Sequence, residues 1–133
     1  MNLKEKFSEK FYDGLVKCNF VNDLEEIINT NGDINVDLDD FINISNGEVV
    51  GAISQYLDDM KDELIIKKIS DKKPTDCILY ISNVSKLQDI EYFVIKLKTL
   101  YPNLNIITGA NEGNYSKIKV QALLTYNLKD NEK

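Results

Sequence analysis

The chain lacks histidine, arginine and tryptophan altogether, and only two prolines and two cysteines occur among its 133 residues. Without histidine, the usual general base, the Ser-His and Cys-His nucleophile pairs and most zinc sites are unavailable. Without arginine, the chain has no bidentate group for phosphates or guanines, and a formal net charge of −6 opposes nucleic-acid binding. These absences predict a protein that binds a partner and is not an enzyme.

Other missing features concern location and size. The sequence has no run of about 18 apolar residues that would form a membrane helix. The N-terminus has no apolar core of the signal-peptide type, so we expect a cytoplasmic protein that binds neither membrane nor nucleic acid. Cys18 and Cys77 stand far apart among apolar residues and predict buried, reduced thiols. A length of 133 residues with 43% apolar content predicts a single domain, residues 1–133.

The glycines are few and scattered. A phosphate-binding loop needs clustered glycines at the start of a helix, and no such cluster occurs among Gly14, Gly32, Gly47, Gly51, Gly109 and Gly113. We therefore expect no bound nucleotide and no other cofactor.

The first half of the chain predicts mostly helix. Apolar residues at a spacing of four, from Leu3 to Leu15, indicate one helix, and Asn22 with Glu25 predicts the capped start of a second. Together they form a predicted helical N-terminal segment, residues 1–31. The alternation in 41–45 predicts a short strand. Ser45 and Glu48 form a possible capping box for a helix that runs to about residue 62.

The second half predicts strands around one helix. The β-prone run 77–84 predicts a central strand, and a helix follows from Ser85 to about Tyr101, where Pro102 stops it. A hairpin is predicted from two further β-prone segments, 104–108 and 117–126. The last residues, 127–133, are predicted to form a polar tail. Residues 64–69 fit either a strand or an extended connection. The fold class is therefore α+β, with one open mixed β-sheet of about four strands, two packing helices and short helices before them.

The segment "GDINVDLDD", residues 32–40, holds four aspartates in nine positions. Oxygen-bearing side chains recur at every second residue from Asp33, which is the spacing of an EF-hand calcium loop. The sixth position of that loop requires glycine and the twelfth glutamate, but Leu38 and Ile44 occupy them. We expect no metal site, and the alternatives left are a solvated turn and a loop that contacts a partner.

Three stretches resemble the C-terminal domain of the FtsZ/tubulin family. They are "CILYISNVSKLQDIEYFVIKL" from residue 77, "PNLNIITGANEGNYSKIKVQALLTY" over 102–126, and an N-x-D-x-x-D pattern at Asn35, Asp37 and Asp40. Three features depart from the family: Asn83-Val84 stands where FtsZ has Gly-Gly, the segment between Asp40 and Ser45 is shorter than in FtsZ, and no GTP-binding domain is present. The resemblance implies that residues 32–126 fold as the FtsZ C-terminal domain, without the part that binds GTP. It also implies that Asn35, Asp37 and Asp40 correspond to the synergy loop, which enters a neighbouring subunit's nucleotide pocket.

This resemblance leads to the first functional hypothesis: a non-catalytic protein-interaction module that binds or modulates a tubulin/FtsZ-like GTPase, or associates with itself. The alternative is a ferredoxin-like regulatory domain that binds a small ligand as a dimer, because the predicted order β-α-β-β-α-β fits that fold as well. Pairing of residues 64–69 in the sheet would favour the alternative, and an irregular connection would favour the FtsZ-like interpretation.

Overall fold

A mixed five-stranded sheet lies between two helical layers in the computed structural model, which describes residues 2–113 and 117–127. The strand order is β2-β1-β5-β3-β4; β3 and β4 are parallel and the other pairs are antiparallel. The predicted α+β class is confirmed, with five strands where about four were expected. The elements are α1 Leu3–Lys6, α2 Glu9–Lys17, α3 Val21–Asn29, α4 Leu38–Ile44, β1 Glu48–Leu57, β2 Lys67–Lys68, β3 Asp76–Val84, a 3₁₀ turn Leu87–Asp89, α5 Ile90–Leu100, β4 Asn105–Glu112 and β5 Ile118–Tyr126.

Helices α1 to α4 cover one face of the sheet. The predicted apolar stripe of the first helix is buried, from Leu3 at 3% exposure to Leu15 at 0%. That stripe belongs to two helices, because Ser8 interrupts the first and caps α2 by accepting a hydrogen bond from the Phe11 N–H at 3.2 Å. Helix α3 has Phe20 as its N-cap and makes no side-chain cap, so the predicted capping box at Asn22 does not form.

A buried polar contact fastens α3 to the middle of the sheet. Asp23 Oδ1 accepts hydrogen bonds from Gln121 Nε2 on β5 at 2.7 Å and from Ser54 Oγ on β1 at 2.9 Å. Gln121 is only 1% exposed, so its amide depends on this carboxylate for a partner. Nearby, Lys119 Nζ on β5 lies 2.9 Å from the Glu26 carboxylate on α3. The N-terminal helices and the sheet therefore share one core.

Helix α5 covers the opposite face and confirms the predicted helix at its centre. Ile90, Phe93 and Leu97 are buried there, whereas Leu100 in the last turn is 57% exposed. The first turn is a 3₁₀ turn without a side-chain cap. Its Leu87 N–H donates to Glu112 Oε1 at 3.2 Å.

Two predictions between residues 41 and 62 are wrong. The predicted helix over 45–62 is the strand β1, which pairs with β5 along its length. From Val49 to Ile53 both faces of the strand are buried, so apolar residues fill consecutive positions there and imitate a helical spacing. The predicted strand 41–45 lies in the helix α4, because Asp37 and Asp40 form a reciprocal capping box at its start.

The predicted hairpin between 104–108 and 117–126 is also wrong. Strand β3 lies between β4 and β5, and β4 runs parallel to β3 after the crossover through α5. The predicted central strand 77–84 is confirmed as β3. The sequence pattern found both strands, although β4 extends to Glu112 and not to residue 108. It did not show that β3 lies between them.

The connection 64–69 contributes only Lys67–Lys68 to the sheet. Three strands precede α5, and α5 is the one helix between strands in the described chain. A ferredoxin-like arrangement needs two such helices, so the structure does not favour the alternative fold. Of the predicted polar tail 127–133, Asn127 donates its N–H to Thr75 Oγ1 at 2.8 Å, and 128–133 lie outside the described residues.

The Asp23 contact makes a testable contribution to stability. Asp23→Ala leaves the buried Gln121 amide without its acceptor, so we expect a loss of about 1–3 kcal/mol in the free energy of unfolding. Urea denaturation measures it. The matched control is Glu25→Ala on the exposed side of α3, which should change stability by less than about 0.5 kcal/mol. Equal effects of the two substitutions would contradict this role for Asp23.

Candidate interaction site

The acidic segment, residues 32–40, lies along the outer edge of β4. Ile34 and Ala110 form an antiparallel bridge in which each N–H donates to the other's carbonyl at 2.9 Å. Asp33 Oδ2 accepts a hydrogen bond from the Glu112 N–H at 2.8 Å. These contacts attach the segment to the C-terminal half of β4, so it forms the rim of the sheet there.

The three residues predicted as a partner-binding site lie in one turn, and each has a local structural role. Asn35 Oδ1 accepts from the Gly32 N–H at 2.8 Å. Asp37 Oδ1 accepts from the Asp40 N–H at 3.1 Å, and Asp40 Oδ2 accepts from the Asp37 N–H at 2.9 Å. Only one oxygen of each aspartate is used in this capping box. The partner-binding role of Asn35, Asp37 and Asp40 stays a prediction.

Close packing beneath the turn fixes its position. Val36 is 2% exposed and points into the core between the exposed residues on either side. A Cβ on Gly32 would lie 2.6 Å from the Tyr80 hydroxyl, and a Cβ on Gly109 would lie 2.7 Å from Val36 Cγ2. Both glycines are therefore required for the segment to approach β3 and β4 this closely.

Behind the turn lies a group of residues that sequence patterns did not reveal. Burial raises the pKa of the Tyr80 hydroxyl, and the Asn111 side chain partly opposes that shift. Among the described residues the hydroxyl has no partner with hydrogen-bond geometry. The Asn111 side chain is nevertheless close enough to lower its pKa. Asn111 Oδ1 accepts from the Asn83 N–H at 2.9 Å. No sequence motif links Tyr80 or Asn111 to the acidic segment; only the strand register does.

Asn83 has an unusual backbone conformation. Its φ angle is 67°, in the left-handed region. Glycine adopts this conformation freely, and asparagine is among the few other residues that tolerate it. Asn83 therefore occupies a position at which most other side chains would strain the backbone.

The charges of the segment are unbalanced locally. Within the described ranges, no lysine forms a salt bridge with any of Asp33, Asp37, Asp39 and Asp40. Among the same described residues, no group of three or more His, Cys, Asp or Glu side chains is arranged to hold a metal ion. The arrangement thus presents exposed carboxylates on a fixed backbone, which suits contact with a cationic or metal-bearing partner surface.

Other chemistry is disfavoured by burial. Both cysteines are buried, and desolvation raises the pKa of Cys18 to about 11 and that of Cys77 further still. Neither thiol ionises near neutral pH, so neither is a nucleophile there. None of the helices that the structure describes is both long and apolar enough to cross a bilayer.

A cleft of about 570 Å³ lies apart from the acidic segment, beside the start of β1. Its main charged groups compensate one another, because Glu48 lies 3.2 Å from Lys72 Nζ and 3.8 Å from Lys10 Nζ. None of Asn35, Asp37 and Asp40 lines it.

The contact between Gly32 and Tyr80 gives a second prediction. Gly32→Ala should destabilise the chain by about 1–3 kcal/mol, because the new methyl group overlaps the buried Tyr80 hydroxyl. In a Tyr80→Phe background the same substitution should cost about 1 kcal/mol less, since the hydroxyl is gone. Urea denaturation of the unmodified chain, the two single variants and the double variant gives this coupling.

Gly47→Ala is the matched control for that cycle. Its Cβ would meet the Tyr126 carbonyl oxygen at 2.6 Å, so it should destabilise the chain equally in both backgrounds. A Gly32→Ala cost that is the same with tyrosine and with phenylalanine at position 80 would refute the proposed overlap.

Comparison with known proteins identifies the fold. No family model matches the sequence, and no curated protein matches it. An empty FtsZ dimer from M. jannaschii matches in structure with a TM-score of 0.59 and 22% identity, over 80% of this chain and 36% of the FtsZ chain. A tryptophan-to-tyrosine mutant of FtsZ from the same organism matches with a TM-score of 0.59 and 22% identity, over 86% of this chain and 39% of the other.

The match therefore spans less than two fifths of those FtsZ chains while covering most of this one. At 22% identity the likeness concerns the fold alone. The chain has an FtsZ-like fold whose extent corresponds to the C-terminal domain without the nucleotide-binding domain.

Proposed function

We propose that this chain is a non-catalytic protein-interaction module of the cytoplasm that docks on a tubulin/FtsZ-like GTPase or on another copy of itself. The observation that carries the proposal is the FtsZ-like fold, present over at least 80% of this chain but only about two fifths of FtsZ. The matched part would correspond to a domain through which a polymer-forming protein contacts its neighbouring subunits. Residues 1–133 act together as one domain in this proposal, since the N-terminal helices share a core with the sheet.

The contact surface in this proposal is the acidic segment, with Asn35, Asp37 and Asp40 as its central residues. Asp37 is exposed and uses one oxygen for the capping box, which leaves the other for a partner. The segment is fixed by the Ile34–Ala110 bridge and by the Asp33 hydrogen bond to Glu112. A rigid surface loses little conformational entropy on binding, which favours association.

The chemistry of such a contact follows from the carboxylates. Near the γ-phosphate of a partner's GTP, an aspartate oxygen can orient the attacking water or share water molecules bound to Mg²⁺. The module would then modulate hydrolysis on the partner without binding nucleotide itself. This accords with a sequence that has no histidine, no arginine and no glycine-rich loop.

A mutation test must separate the charge of Asp37 from its capping role. Asp37→Ala removes both and should also destabilise α4 by about 0.5–2 kcal/mol. Asp37→Asn with Asp40→Asn removes both charges while asparagine still accepts the capping hydrogen bonds. The control is Glu25→Gln with Glu91→Gln, which removes two exposed charges elsewhere on the surface.

The measurement is co-sedimentation with the polymerised FtsZ-like GTPase of the same organism, together with its GTP turnover. We expect the unmodified chain and the glutamine control to bind and to change turnover. The double asparagine variant should lose both effects at least tenfold. Equal binding by all three proteins would exclude the acidic segment as the contact, and no binding by any of them would exclude the GTPase as the partner.

A further inference from the structure

The two edges of the sheet carry opposite net charge. One edge is β2 with the loop after it, and we call this the lysine edge; it comprises Lys67, Lys68, Lys72 and Lys73. The other is the rim of β4 formed by the acidic segment. We propose that copies of this chain associate head to tail, with the acidic segment of one copy seated on the lysine edge of the next.

The lysine edge is available for such a contact. All four of its lysines are exposed. Lys72 lies 3.2 Å from Glu48, and the other three have no salt bridge in the described part of the chain. Asp71 is the one acidic residue from 66 to 74. The edge therefore keeps a net positive charge on a protein whose overall charge is −6.

The acidic rim is equally unbalanced. Between Lys17 and Lys61 the sequence has ten acidic residues and no lysine. Asp33, Asp37, Asp39 and Asp40 come from this stretch, and none has a salt-bridge partner in the described ranges. Two lysines of the described chain do lie near this edge. Lys98 lines a cleft beside Asn105 at the start of β4, and Lys86 precedes Leu87, whose N–H donates to Glu112 at the end of β4.

The two charged edges do not neutralise each other within one molecule. Strands β2 and β4 are the first and last of five, so at the usual strand spacing they lie about 19 Å apart. That separation exceeds the Debye length of about 8 Å at physiological ionic strength. Each edge can therefore attract only an external partner of opposite charge.

The charge pattern selects a second copy in head-to-tail orientation. Two lysine edges repel each other, and so do two acidic rims, which disfavours a closed twofold dimer through either surface. An unlike pair is attractive, and such a heterologous contact repeats along a chain of copies. The same chain supplies both surfaces, so the complementarity requires no other molecule.

Unpaired backbone groups can add to the contact. Ala110 directs its N–H and carbonyl outward to Ile34, and Ile106 and Thr108 share its orientation. Their outward backbone groups have no hydrogen-bond partner among the residues that the structure describes. On the other edge, the Ile69 N–H bonds inward to the Val50 carbonyl at 2.9 Å, so the groups of Lys68 point outward. Both edges thus offer hydrogen bonds as well as charge.

This inference rests on the proposed interaction role and names the partner as a second copy. A test uses two variants that each disable one edge. Lys67→Glu with Lys68→Glu disables the lysine edge. Asp37→Ser with Asp39→Ser disables the acidic rim while serine keeps the cap of α4. Lys4→Glu with Lys6→Glu on the exposed side of α1 is the control for the change in net charge.

Sedimentation velocity at high protein concentration gives the readout. The unmodified chain and the α1 control should form larger species at low salt that dissociate to monomers as salt is raised. Each edge variant alone should stay monomeric. An equimolar mixture of the two edge variants should form dimers and nothing larger, since only one intact edge of each kind remains.

Other outcomes overturn the inference. A chain that is monomeric at low salt, or oligomers that survive both edge variants, would exclude this contact. Monomers that bind a DNA or RNA duplex through the lysine edge would assign that edge to nucleic acid instead. A monomeric chain that still co-sediments with the GTPase would overturn this inference alone and leave the proposed GTPase docking intact.

Discussion

The burial of β5 on both faces is the constraint on which the rest of this structure depends. The strand is paired on both sides, with β1 and β3, and its residues from Val120 to Thr125 are all buried. A strand without a solvent face needs a layer of structure on each side. Helix α5 supplies one layer. The N-terminal helices supply the other, and through Asp23 they also supply the hydrogen-bond acceptor that the buried Gln121 requires.

The position of the acidic segment follows from that same layer. The chain leaves α3 on one face of the sheet and must begin α4 on the same face, and between them it passes along the edge of β4. Asp37 and Asp40 start α4, while Asp33 and Ile34 attach the segment to β4. The carboxylates proposed to meet a partner are thus the residues that hold the turn in place. Their geometry is set by folding, and Asp33 and Asp37 are exposed to solvent.

Much of the fold was predictable where a single pattern determines an element. The run 77–84, the helix centred on Phe93 and the strand 118–126 all have one dominant signal, and the structure contains each of them. The spacing in residues 48–57 predicts a helix instead of the strand that forms, because Val49 to Ile53 are buried on both faces and show no alternation. The false hairpin has a different cause, since adjacency along the chain says nothing about a strand such as β3 that inserts between two neighbours.

The candidate site was likewise predictable from the sequence only in part. The N-x-D-x-x-D pattern located Asn35, Asp37 and Asp40, and the structure brings them into one turn. Two other contacts depend on strand register, which local sequence does not encode. They are the close approach of Gly32 to Tyr80 and the hydrogen bond between Asn111 and the left-handed Asn83. The opposite charge of the two sheet edges was also hidden, because it appears only when β2 and β4 are known to be the outer strands.

The most direct test of the central claim is hydrogen–deuterium exchange of this chain with and without the polymerised FtsZ-like GTPase. Exchange reports backbone protection segment by segment and needs no mutation. Docking through the acidic segment predicts slower exchange in peptides covering residues 31–41, with no change in α5. Unchanged exchange throughout the chain, or protection confined to α5 and the cleft beside β1, would contradict the account.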